Sequence, residues 1–142
     1  MKKPEPVPGL VIRYDYLWRD EARRGRIEGS KVRPCAIVVA RRLEENGQTT
    51  VLLAPITHSP PIDPGQAIEL PPKVKRHLGL DDAPSWIVTA ELNSANWDDP
   101  GIEPVNRARW AYGLLPPSLA RALVDHVRER MHSAKLGVIK RK

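Results

Sequence analysis

Two residues in this 142-residue chain offer the most definite chemistry, an arginine and a threonine. Arg33 opens the run Arg33-Pro34-Cys35-Ala36-Ile37-Val38-Val39, and Thr57 closes Val51-Leu52-Leu53-Ala54-Pro55-Ile56-Thr57. Each polar side chain stands at one end of an otherwise apolar stretch. A guanidinium stays charged at any working pH and matches a phosphate with two hydrogen bonds. A hydroxyl adds a further donor. Side by side, the two make a phosphate site.

Placing them side by side is the task of two strands. Both runs are nearly continuous in apolar residues, which reads as central, buried strands. A polar turn, Glu44-Glu45-Asn46-Gly47-Gln48, separates them. Antiparallel pairing across that turn brings the start of the first to the end of the second. Further strands are expected over 10–18, 67–70 and 86–92, besides 32–41 and 50–56. The first alternates apolar or aromatic residues (Leu10, Ile12, Tyr14, Tyr16, Trp18) with a more polar face, the mark of a half-buried strand. Residues 19–30 are dense in charge, contain Gly25 and Gly29, and read as a long mobile loop. Residues 59–65 hold three prolines and form an extended loop directly after Thr57. Residues 72–78 suggest one short helical turn ended by Gly79. One longer helix begins near Pro116-Pro117-Ser118 and runs to about 133, with a stripe of Leu119, Leu123, Val127 and Met131. The expectation is a single mainly β domain spanning 1–142 with a C-terminal helix, and flexible tails at 1–8 and 138–142.

Composition bounds the function. No run approaches the roughly 18 apolar residues of a membrane span, and the first six residues lack the apolar core of a signal peptide. The single cysteine, Cys35, forms no intrachain disulfide and reads as a small buried apolar residue. These features suggest a cytoplasmic protein. The net charge of +6 is concentrated at the ends: without Lys2, Lys3, Lys140, Arg141 and Lys142, 18 basic residues face 17 acidic ones. Attraction to nucleic acid must therefore come from local patches or from the tails. One patch, over residues 13–33, comprises Arg13, Arg19, Arg23, Arg24, Arg26, Lys31 and Arg33. Lys73, Lys75 and Arg76 make the second. The four histidines lack metal-ligand spacing, since His126 and His132 fall on different helical faces, so neither metal nor cofactor is expected.

Several of these segments together resemble the MazF/PemK family of bacterial toxins, small endoribonucleases of toxin–antitoxin systems. The resemblance is carried by the opening strand after Gly9 (Pro8-Gly9-Leu10-Val11-Ile12), by Arg33-Pro34 and its strand, and by Pro55-Ile56-Thr57. Ser85-Trp86-Ile87-Val88 to Trp97 and the C-terminal helix complete it. It implies a small SH3-like barrel, a homodimer whose grooves bind single-stranded RNA, and an acidic antitoxin that blocks them. It further assigns the family's catalytic arginine to Arg33 and its active-site threonine to Thr57. Some members carry an arginine and, two residues later, an aspartate; Thr89 and Glu91 stand there, so the acid is kept and the second arginine is lost.

Metal-independent RNA cleavage needs a base for the 2′-OH, an acid for the leaving 5′-oxygen and cations for the phosphorus-bound charge. Arg33 suits the last role, Glu91 is a candidate acid or base, and Thr57 a phosphate donor. His58 could shuttle protons, though strand alternation would aim it away from Thr57 unless the strand has ended. Trp86 is expected in the core, while Trp97 is open to a groove or dimer contact. Arg23, Arg24, Arg26, Lys31, His58, Lys73, Lys75 and Arg76 are the candidate RNA contacts. The rival reading is a non-cleaving toxin or regulator on the same fold, binding a protein target or nucleic acid.

Overall fold

A computed structural model of the chain describes residues 1–29, 31–43, 45–133 and 136–141. The elements in order are β1 (Leu10–Tyr14), α1 (Arg19–Arg23), β2 (Arg33–Arg42), β3 (Thr49–Thr57), β4 (Ala67–Glu69) and α2 (Pro72–Leu78). There follow β5 (Trp86–Val88), β6 (Glu91–Asn96), β7 (Ile102–Glu103), β8 (Gly113–Leu114), α3 (Pro117–His132) and β9 (Gly137–Lys140). The sheet is antiparallel apart from a parallel β6–β9 pair. Its main path runs β4-β5-β3-β2-β1-β7 and does not close on itself among the described residues.

Period-two alternation sorts the strands' side chains onto two faces. Leu10, Ile12 and Tyr14 of β1, Cys35 and Ile37 of β2, and Val51 and Leu53 of β3 fill one cluster with Tyr16 and Ala95. Val11, Ala36, Val38, Ala54 and Ile56 from the same strands face the other side. There they meet Leu123 and Val127 of α3 and Val74 and Leu78 of α2. Strands apolar on both faces are the reason β2 and β3 read as continuous hydrophobic runs. In α3 the apolar stripe stops short: Met131 is exposed, and burial ends at Val127.

Three expectations change at the ends of elements. The strand expected over 86–92 is two strands, β5 and β6, separated at Thr89 and Ala90. Trp86 is only half-buried, because β5 lies between β3 and the short strand β4 near one end of the sheet. The expected flexible C-terminal tail is a strand: β9 pairs with β6 from Glu91↔Gly137 to Ser94↔Lys140. Arg141 then donates to the Asp15 and Ile27 carbonyls and to Asn93 Oδ1. Lys142 lies outside the described residues. At the other end Lys3 donates to the Trp97 carbonyl and lies over the Trp97 and Trp110 rings at 4.5 and 5.1 Å, while Trp97 Nε1 donates to the Pro4 carbonyl. Both tails expected to be free are thus tied to the fold by specific contacts.

Candidate functional site

The β2–β3 register pairs Cys35 with Pro55. Continued by two residues, it sets Arg33 opposite Thr57. Both line a cavity of about 790 Å³ between the ends of these strands, the segment before α1, the loop after Thr57 and the start of β6. Glu91, His58 and Lys31 line it as well. Of the residues expected to do chemistry, Arg33, Thr57, His58 and Glu91 therefore share one wall-to-wall space.

Arg33 is held by stacking and, among the described residues, not by an ion pair. Its guanidinium carbon lies 5.0 Å from the centre of the Trp18 ring, and that ring is packed edge-on against Tyr16. The buried Nε has no hydrogen-bond partner among the described residues. A buried donor left without a partner is costly. Thr57 Oγ1 accepts from the Ser59 amide at 3.2 Å, which leaves its proton free to donate.

Glu91 stands at the first residue of β6 and reaches the start of α1. Its Oε1 accepts from the Arg19 amide at 2.9 Å and from the Tyr16 hydroxyl at 3.2 Å. One carboxylate oxygen thus satisfies an otherwise orphaned helix N–H, leaving Oε2 for other work. Burial pushes the Glu91 carboxyl above its usual range, with the Arg19 and Tyr16 bonds acting in the opposite sense. That direction suits a group exchanging protons nearer neutrality. Burial likewise drives the Cys35 thiol up, fitting an inert core sulfur.

β3 ends at Thr57, so His58 is released from strand alternation and lines the same cavity instead of facing away. Its Nε2 lies 2.9 Å from Asp81 Oδ2. Asp81 Oδ1 in turn accepts from Lys75 Nζ at 2.7 Å and from the Ala83 amide at 3.1 Å. Lys75 is therefore not part of a solvent-facing patch. It is 4% exposed and also donates to Ser85 Oγ at 2.7 Å and to the Ala83 carbonyl. The hydrogen bond from Lys75 is the main reason the Asp81 carboxyl sits below its usual range.

The remaining basic candidates lie apart from the cavity. Lys73 and Arg76 are exposed on α2, and Arg23, Arg24 and Arg26 face solvent, Arg26 pairing with Glu21 at 3.5 Å. None of the five lines the cavity, whereas Lys31 does. Residues 19–30 are in part α1 and not one long loop, and Ser30 is outside the described residues. Thr89 is fully buried and its hydroxyl has no hydrogen-bond partner among the described residues. Asp81 was not singled out from the sequence yet lines the cavity, as do Trp18, read there on the aromatic face of the first strand, and Arg19. Arg19 carried a signal as a member of the basic patch; Asp81 carried none, since its partner His58 is 23 positions away. Among the described residues no group of three or more His, Cys, Asp or Glu is placed to hold a metal ion, and no helix is long and apolar enough to cross a membrane. No protein-family model and no curated protein matches the chain.

Proposed function

We propose that the protein is a metal-independent endoribonuclease cutting single-stranded RNA in the cavity around Arg33. The observation that carries this reading is the convergence of Arg33, Thr57 and Glu91 on one cavity from three strands. In this reading the scissile phosphate lies against Arg33, whose guanidinium stabilises charge as it builds on the non-bridging oxygens. Thr57 donates to one of those oxygens. Glu91 Oε2 takes the 2′-OH proton, and the 2′-oxygen attacks phosphorus. The wider proposal is a toxin of the MazF/PemK kind, with an SH3-like barrel, acting as a cytoplasmic homodimer restrained by an acidic antitoxin. An acidic segment would meet the same cations that hold RNA, Arg19, Lys31 and Arg33 at the cavity.

The test is to incubate wild type and Arg33→Ala with a long single-stranded RNA in EDTA. Discrete fragments from wild type, reduced roughly 100- to 1,000-fold in the variant, are expected. Intact RNA with both folded proteins would reject the reading. It would favour the non-cleaving binder, for which the buried Thr89 in place of a second arginine is the supporting observation.

A further inference from the structure

We propose that His58, oriented by Asp81, is the general acid that protonates the leaving 5′-oxygen, and that buried Lys75 fixes this pair from behind. The proposal rests on the ribonuclease reading above.

The Asp81 carboxylate is anchored to the frame through Oδ1, which accepts from Lys75 Nζ and the Ala83 amide. Both of its oxygens face His58 Nε2, Oδ2 at 2.9 Å and Oδ1 at 3.2 Å. Lys75 is itself anchored by Ser85 Oγ and the Ala83 carbonyl, so its ammonium has three protein acceptors in a nearly dry position. An ion pair between two half-exposed side chains contributes little to stability, and here His58 and Asp81 are 58% and 56% exposed. Burying a lysine to hold such a carboxylate in place is better explained by what the carboxylate orients. With Nε2–H donating to Asp81, Nδ1 is the ring nitrogen left without a partner among the described residues, and His58 follows Thr57 directly at the cavity wall. A carboxylate that fixes tautomer and ring orientation is a recurrent way to prepare an imidazole for proton transfer.

The step balances with the residues present. Glu91 accepts the 2′-OH proton as the 2′-oxygen bonds to phosphorus. The bond from phosphorus to the 5′-oxygen breaks, and the imidazolium Nδ1–H gives its proton to that oxygen. The products are a 2′,3′-cyclic phosphate and a 5′-hydroxyl. Glu91 ends protonated and His58 neutral, and exchange with water restores both. Asp81 and Lys75 are positioning residues, touching neither phosphate nor sugar.

A substrate that needs no acid tests the assignment. Once the cleavage position is mapped on ordinary RNA, an oligonucleotide is made with sulfur replacing the leaving 5′-oxygen there, since a thiolate departs unprotonated. His58→Ala is expected to slow cleavage of ordinary RNA by about 100-fold or more and cleavage of the sulfur substrate by less than about fivefold. Asp81→Asn and Lys75→Met should show smaller losses with the same rescue. Arg33→Ala should stay defective on both substrates. Equal losses of His58→Ala on the two substrates, or none on ordinary RNA, would overturn the acid role while leaving the ribonuclease reading intact. Folded wild-type protein that leaves ordinary RNA intact would overturn both.

Discussion

At the residue scale the cavity brings together Arg33, which has no carboxylate partner among the described residues, and Glu91, a carboxylate pushed toward its neutral form. Thr57 contributes a single neutral hydrogen bond, worth about 1 kcal/mol, so Thr57→Ala should lower cleavage roughly fivefold in a steady-state assay. Glu91 allows a sharper prediction because its two roles oppose each other. A carboxyl whose folded pKa lies above its unfolded value opposes folding once it ionises; that cost is absent at low pH and sets in as pH rises past the unfolded pKa. Glu91→Gln keeps an acceptor for the Arg19 amide and the Tyr16 hydroxyl while removing the charge. Its Tm should exceed that of wild type at neutral pH, with the gap closing toward about pH 4, as scanning calorimetry would show. The same variant should lose about 100-fold or more in cleavage. In wild type, cleavage should fall as pH drops through the raised Glu91 pKa.

At the scale of elements, β9 turns a tail into a support for the site. It pairs with β6 beginning at Glu91, and Arg141 joins Asn93 of β6 to Asp15 and Ile27. Removing residues 137–142 should therefore abolish most cleavage and lower Tm, where a merely basic tail would leave both unchanged. Cleavage and melting of the truncated chain measure this directly. The strands carrying Arg33 and Thr57 were legible in sequence because both of their faces are apolar and their ends are polar. α2 was legible from Pro72 at its start and Gly79 at its end, where φ of 71° suits glycine. β7 and β8, two residues each, carry no period to detect, and the short β9 reads as a basic tail because only Val138 and Ile139 are apolar, Val138 is itself exposed, and Lys140 and Arg141 follow. Lys75 was misassigned because local charge reveals composition but not direction. α2 turns Lys75 inward, while Lys73 and Arg76 on the same helix face water.

For the whole molecule, the excess charge sits mostly away from the cavity. Arg19, Lys31 and Arg33 are the lining cations outside the Lys75–Asp81 pair, and Asp20 and Glu91 lie among them. RNA affinity should thus fall only gently with salt, with a logarithmic slope of about −2 for three phosphate contacts on a single strand. Lys73→Ala with Arg76→Ala should change cleavage less than about twofold, in contrast to Lys31→Ala. Binding titrations at several salt concentrations would expose a steeper slope if the distant patches took part. The tie from Arg141 to the Asp15 carbonyl spans 126 positions, and that from Glu91 Oε1 to the Arg19 amide spans 72. Contacts so remote in sequence form late in folding, and a ribosome adding about 5–20 residues per second needs several seconds to supply both ends. A nascent chain would hold Arg33 and Thr57 in their hairpin well before Glu91 gains its β9 neighbour. On the ribonuclease reading proposed above, an emerging chain thus carries the phosphate-binding half of the site before the half that takes the proton.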